Sequence, residues 1–255
     1  MRFALSALAA MALALKASAA PMEIAPPSFA KLLLPAAAEA QSSAEEDTDF
    51  LFRLAMLEGH LLIGHQLLAA HQAALALPHF GHPVHEIYCD IADYLGTRHF
   101  PPFDAQLAAL EAKVTAAPES PDTEAAYQSV IATVHQARAI APPGLRASLP
   151  AMIQVCADTV DAASGEFGEA LEQGKIASVV EYHDSKGYLA FVDQQLGELR
   201  GTHSDAPSQS LLDRFQAVLA KAEWIVEPLM PAPAPRASLA DYRAIAAEAA
   251  AIAKP

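Results

Sequence analysis

The sequence predicts an all-α fold, an antiparallel bundle of about seven helices behind a cleaved signal peptide. Three observations carry this. Apolar residues recur at three- and four-residue spacing from about residue 46 onward. No run has the alternating, β-branched pattern of a strand. The breaks between periodic stretches are short and marked by Pro, Gly or Ser, which favours antiparallel neighbours.

The chain opens MRFALSALAAMALALKASAAP. Arg2 supplies a positive start, Ala4 to Leu15 an apolar stretch, and Ala17-Ser18-Ala19 a small-residue cleavage site. The apolar stretch is shorter than the roughly 20 residues of a membrane span. A signal peptide over residues 1–19 is therefore expected, with export to the periplasm in a Gram-negative cell and no embedding in the membrane. Residues 20–45, rich in Ala, Pro and Ser, read as a disordered leader.

Phe50, Leu54, Leu57, Leu61, Gly64 and Leu68 form the stripe of a first helix, expected to end before Pro78. Pro83 suits the first turn of a second, with Val84, Ile87, Ile91 and Leu95 inward and a hairpin over residues 78–83. Phe103, Leu107, Leu110 and Val114 mark a third helix. Pro121 opens a fourth, carrying Tyr127, Val130, Ile131 and Val134 to a stop at Pro142-Pro143-Gly144. Ser148 and Pro150 start a fifth, with Ile153, Cys156, Val160, Ala163, Phe167 and Leu171 in its stripe and Gly174 at its end. The sixth runs from about Ser178 to Leu199, and the seventh from about Gln209 to Glu227 with Leu212, Phe215, Leu219 and Ala222 inward. The bundle domain thus covers 46–228. A stiff Pro-rich linker (229–237) follows, then an Ala-rich helix (238–255) with Ser238 as its N-cap.

Charge narrows the partners. The full chain carries a net charge of −14, and without Arg2 and Lys16 the balance is 14 basic against 30 acidic residues. Such a surface disfavours nucleic acid and anionic membranes and is compatible with cations. In an oxidising compartment Cys89 and Cys156 have two possible states, a disulfide or two free thiols.

The strongest compositional anomaly is the histidine density between residues 60 and 99, centred on HFGHPVHEIYCD (79–90). Neutral imidazole is the commonest protein ligand for borderline metals. His82 and Glu86 are four apart, as are His85 and Cys89, so each pair shares a helix face. With the 78–83 hairpin, His71 or His79 would join His82 and Glu86 in a mixed nitrogen and oxygen site for copper, zinc or iron. The competing reading is a helix boundary, with His82 at the cap and Glu86 favoured by the helix dipole. His60 and His71 share a face but lie three turns apart, about 16 Å, too far to hold one ion.

A second candidate lies in SVVEYHDSKGYLAFV (178–192). Glu181 falls inside the apolar arc, where a carboxylate is costly unless paired, although Ser178 and Glu181 also fit a capping box. His183 and Asp184 lie off that arc. Glu181, His183 and Asp184 together are the expected partner set of the 79–90 segment, with Glu181 and His183 as its leading ligands. The sequence holds no GxSxG, HExxH, phosphate-binding loop or dinucleotide fingerprint. The expected function is transition-metal binding as a carrier, buffer or uptake accessory. The alternative is an envelope scaffold presenting an acidic face or groove to a protein or small ligand.

Overall fold

A computed structural model describes residues 36–254, with side chains from residue 43. The expected signal peptide and residues 20–35 of the expected leader lie outside the described residues, whereas residues 36–45, expected to be disordered, are the start of a helix. The remainder is an all-α bundle. Its helices are α1 (Ala36–Ala69), α2 (Ala73–His82), α3 (Tyr88–Thr97), α4 (Asp104–Ala116), α5 (Pro121–Arg138), the single turn α6 (Pro143–Arg146), α7 (Leu149–Glu169), α8 (Val179–Thr202), α9 (Ala206–Ile225) and α10 (Leu239–Ala253). Helix α8 lies at the centre, against α7, α1, α9 and α2, and α10 packs on α7 and α9.

The apolar stripes form the core. Leu54, Leu57, Leu61, Ile91, Ile153, Cys156, Val160, Phe167, Val192, Leu196, Leu212 and Phe215 are all buried. Several helix starts follow from local chemistry. Ser120, Ser148 and Asp205 accept the amide N–H groups of Thr123, Ala151 and Ser208, each beside a first-turn proline. Ser238 and Asp241 form a reciprocal capping box. The last helix buries Tyr242, Ala246, Ala249 and Ala253 in the bundle.

Four features depart from the expected layout. The first helix ends at Ala69, well before Pro78, because His71 adopts φ 59° and closes a Schellman turn. In it the Gln72 amide donates to Leu67 O and the His71 amide to Leu68 O. His99 ends α3 in the same way, with φ 56° and the Phe100 amide on Leu95 O.

Second, residues 78–83 form no hairpin. Pro78 lies inside α2, and at Pro83 the chain widens into one π-turn over Pro83–Ile87 before continuing as α3. Proline cannot donate to the i−4 carbonyl and its ring crowds that position. The wider turn accommodates it, and the Tyr88 amide donates to Pro83 O. His82 is therefore helical rather than a cap.

Third, Leu171–Glu172 (β1) and Lys175–Ile176 (β2) pair antiparallel, with Leu171 opposite Ile176. Gln173 and Gly174 both have positive φ, so Gly174 serves a two-residue hairpin turn rather than a helix end.

Fourth, the Pro-rich segment after α9 is a strap fastened to the bundle. The Lys186 ammonium donates to Val226 O and Glu227 O, the Tyr182 hydroxyl donates to Pro228 O, and the Ile176 amide donates to Pro233 O.

Two glycines set the distance between the central helices. A Cβ at Gly187 of α8 would lie 2.3 Å from the Gly59 carbonyl oxygen of α1, and one at Gly59 would lie 2.7 Å from the Tyr188 ring. Without those side chains the two backbones touch. Gly64 does the same for α1 and α2, since its Cβ would meet the Phe80 ring at 2.8 Å. Everything at this three-helix crossing is brought close by these absences.

Candidate metal centre

His60 follows Gly59 on α1, His79 and His82 lie one turn apart on α2, and Asp184 precedes Gly187 by one turn on α8. The crossing therefore gathers all four. His60 Nδ1 and His79 Nδ1 both donate to the same oxygen, Asp184 Oδ1, at 2.6 and 2.7 Å. His82 Nδ1 approaches Asp184 Oδ2 at 3.4 Å. The Tyr188 hydroxyl lies 3.0 Å from His60 Nε2. A carboxylate only accepts, so both Nδ1 atoms carry hydrogens.

His60, His79 and Asp184 are all buried, while His82 keeps a quarter of its side chain in solvent. Among the described residues they form a group of three ligand atoms lying within 4.8 Å of one another.

Electrostatics keep the group ready for a cation. Burial pushes the Asp184 carboxyl up, but charge on His60 and hydrogen bonds from His60, His79 and His82 outweigh it and hold the group well below the usual carboxylate range. Burial lowers the His79 and His183 imidazoles despite their acceptors, so both are neutral near pH 7. His82 is raised, chiefly by its bond to Asp184. Glu166 of α7 is pushed up to about 7 by burial first, then by the nearby charges of Asp184, Glu169 and Glu181. Carboxylates crowd this end of α8 more closely than imidazoles alone offset.

Three polar atoms here have no partner: His79 Nε2, His183 Nδ1 and Glu181 Oε2. Orphaned buried lone pairs are uncommon enough to call for a cause.

The expected site residues divide sharply. His79 and His82 reach Asp184. His183 is buried against His79, with ring centroids 5.6 Å apart. Glu181 is half-buried, and no capping box forms at Ser178, whose side chain caps nothing. His71, His85 and Glu86 are exposed. His71 Nδ1 meets Glu119 at 2.8 Å, and His85 Nε2 lies 3.4 Å from Glu111. Since Ile87 and Ile91 face inward, Glu86 is turned to solvent and touches His82 only through its charge. Cys89 is an exposed thiol and Cys156 a buried one, so they form no disulfide.

His60, set aside because its helix-mate His71 is too distant, and Asp184, expected to lie off the apolar arc, are at the centre of the cluster. Asp184 and His183 are buried because α8 is enclosed on several sides rather than along one arc.

In comparisons with known proteins, no family model, no curated protein and no solved structure matches the chain.

Proposed function

We propose that this protein binds a transition metal ion between His60, His79 and Asp184, with His82 as the fourth ligand, and acts as an exported carrier, buffer or uptake accessory for it. One observation carries the reading: three metal-ligating side chains from three helices converge within 4.8 Å in a buried position. Ligands at about 2.0–2.1 Å from a tetrahedral ion stand roughly 3.3 Å apart. The present contacts of 2.6 and 2.7 Å need to open by about 0.6–0.7 Å each to reach that spacing.

The ion takes the place of the two Nδ1 hydrogens that Asp184 now accepts. Three imidazoles and a carboxylate suit zinc, copper(II) or iron. Neither thiol belongs to the cluster, which disfavours copper(I). His82, with a quarter of its side chain in solvent, is the way in. The net acidic surface favours the approach of cations.

The test is elemental analysis of the mature, untagged protein from its native cells, followed by titration with zinc, copper and iron. Near-stoichiometric metal is expected, lost in His60→Ala/His79→Ala and kept in His85→Ala/Glu86→Ala, with helicity checked by circular dichroism. Failure of the wild-type protein to take up any of the three tightly sinks the proposal.

A further inference from the structure

We infer that His183 relays the state of the metal centre to the Pro-rich strap, through a hydrogen bond that His79 makes once its Nδ1 holds the ion. This rests on the metal centre proposed above and concerns a residue outside its ligand set.

The argument is hydrogen accounting. His183 Nε2 lies 2.7 Å from the Leu229 carbonyl oxygen in the strap. A carbonyl only accepts, so Nε2 carries the hydrogen and Nδ1 presents a lone pair. That Nδ1 is buried and unpartnered. In the metal-free protein His79 uses its Nδ1–H on Asp184, which leaves its Nε2 as a second unpartnered lone pair. Two lone pairs on neighbouring rings cannot satisfy each other.

Coordination changes this. When the ion takes His79 Nδ1, that nitrogen gives its hydrogen to water and Nε2 gains one from water. The ring stays neutral and the protons balance. Nε2–H is now a donor, and His183 Nδ1 is the adjacent acceptor. The two rings already sit edge to face at 5.6 Å between centroids. Imidazoles joined by an N–H···N bond of about 3 Å have centroids roughly 5 Å apart, so a small ring movement closes it.

The resulting chain runs from the ion through His79 and His183 to Leu229 O. It satisfies both orphaned atoms at once. Ligand histidines characteristically donate their second N–H to such a partner, and losing that partner costs affinity. His183 is thus a positioning residue, and the strap between α9 and α10 is ordered by metal.

The experiment combines zinc titration with hydrogen exchange of the 226–237 peptide, on the full mature chain with and without zinc. In the wild-type protein zinc should slow exchange in this peptide. His183→Gln keeps a donor for Leu229 and places no acceptor at the position of His183 Nδ1. Its zinc affinity should fall about tenfold to a hundredfold, with strap exchange indifferent to zinc. His183→Asn keeps an acceptor toward His79 but releases Leu229. It should bind zinc more tightly than His183→Gln, with a strap that exchanges fast in either state.

Unchanged affinity in His183→Gln, or wild-type strap exchange that ignores bound zinc, overturns the relay and leaves the metal centre standing. The wild-type exchange measurement needs no variant and so survives any folding defect. No uptake of zinc, copper or iron by the wild-type chain would overturn both.

Discussion

Three carboxylates are buried among the described residues, Asp47, Glu58 and Asp184, and the partners of the last two differ in kind. Glu58 on α1 is 2% exposed and pairs with the Arg138 guanidinium and with His135 Nε2 at 3.0 Å, both from α5. Asp184 on α8 is equally buried and faces imidazoles alone. Arginine is protonated at every accessible pH, so Glu58 has a permanent counter-charge and nothing to exchange it for. Imidazoles are neutral or charged as conditions require, and neutral ones are ligands. The first arrangement closes a structure, and the second leaves a place for a cation. Surface pairs such as His65 with Glu124 and His71 with Glu119 match these distances, at 2.8 Å each. In water such pairs contribute about 0–1 kcal/mol.

The comparison breaks most visibly under charge removal. Glu58→Gln strands Arg138, which is 14% exposed, and should cost about 3–5 kcal/mol in urea unfolding, as when one member of a buried ion pair is deleted. Metal affinity should not change. Asp184→Asn still offers an oxygen to the imidazoles. It should cost less, about 1–3 kcal/mol, yet abolish metal uptake. Saturating metal sharpens the contrast: at a hundred times Kd it should add about 2.7 kcal/mol to the wild type, the same to Glu58→Gln, and nothing to Asp184→Asn. Equal metal stabilisation of both variants would show that Asp184 is only structural.

Backbone approach offers a second contrast within α8. Gly187→Ala drives a methyl into the Gly59 carbonyl and should cost about 1–3 kcal/mol or more, while pushing His60 away from Asp184 and weakening metal binding. At Gly197, ten residues on in the same helix, an added Cβ meets nothing within 4 Å. There Ala should stabilise by about 0.5–1 kcal/mol through helix propensity. Similar responses at both positions in thermal melts would remove the tight crossing as the cause of the site.

These two glycines also mark how much was legible in the sequence. The fold class was, because apolar stripes such as Ile153, Cys156, Val160 and Phe167 need only a helical period to be seen. Caps at Ser148 and Ser238 were legible for the same local reason. The β1–β2 hairpin was not, since two-residue strands carry no alternation. Nor was the helix through Pro78 and Pro83, where tertiary packing and one π-turn outweigh two prolines.

His79, His82 and His183 stand out by composition. His60 does too, at the edge of the dense stretch, but its pairing with Asp184 was not legible, because spacing within one helix cannot reveal partners 124 residues apart. Gly59 and Gly187 carried the missing signal: an isolated glycine in a helical stretch costs stability and marks close approach, and each lies within three residues of a cluster member.

The smallest expected effect concerns sign rather than size. His135 is raised, first by its hydrogen bond to Glu58. A raised group contributes stability that is fully present below its unfolded value near 6.5 and is lost as pH rises through its folded value. His79 is lowered, first by burial. Below about pH 6.5 the unfolded chain takes a proton that the folded His79 refuses, so its contribution falls with acid. Glu58 therefore sits beside a raised imidazole, whereas Asp184 has both a lowered one, His79, and a raised one, His82. His135→Gln tests the first half cleanly, since the ring is half exposed and no part of the metal cluster. The advantage of the wild type over this variant should be larger at pH 5.5 than at pH 8.5, and no more than about 0.5 kcal/mol after solvent screening. Metal-free unfolding curves at the two pH values decide it. A larger advantage at pH 8.5 would mean that His135 supports Glu58 as a neutral donor, and that Arg138 alone supplies the counter-charge that separates this carboxylate from Asp184.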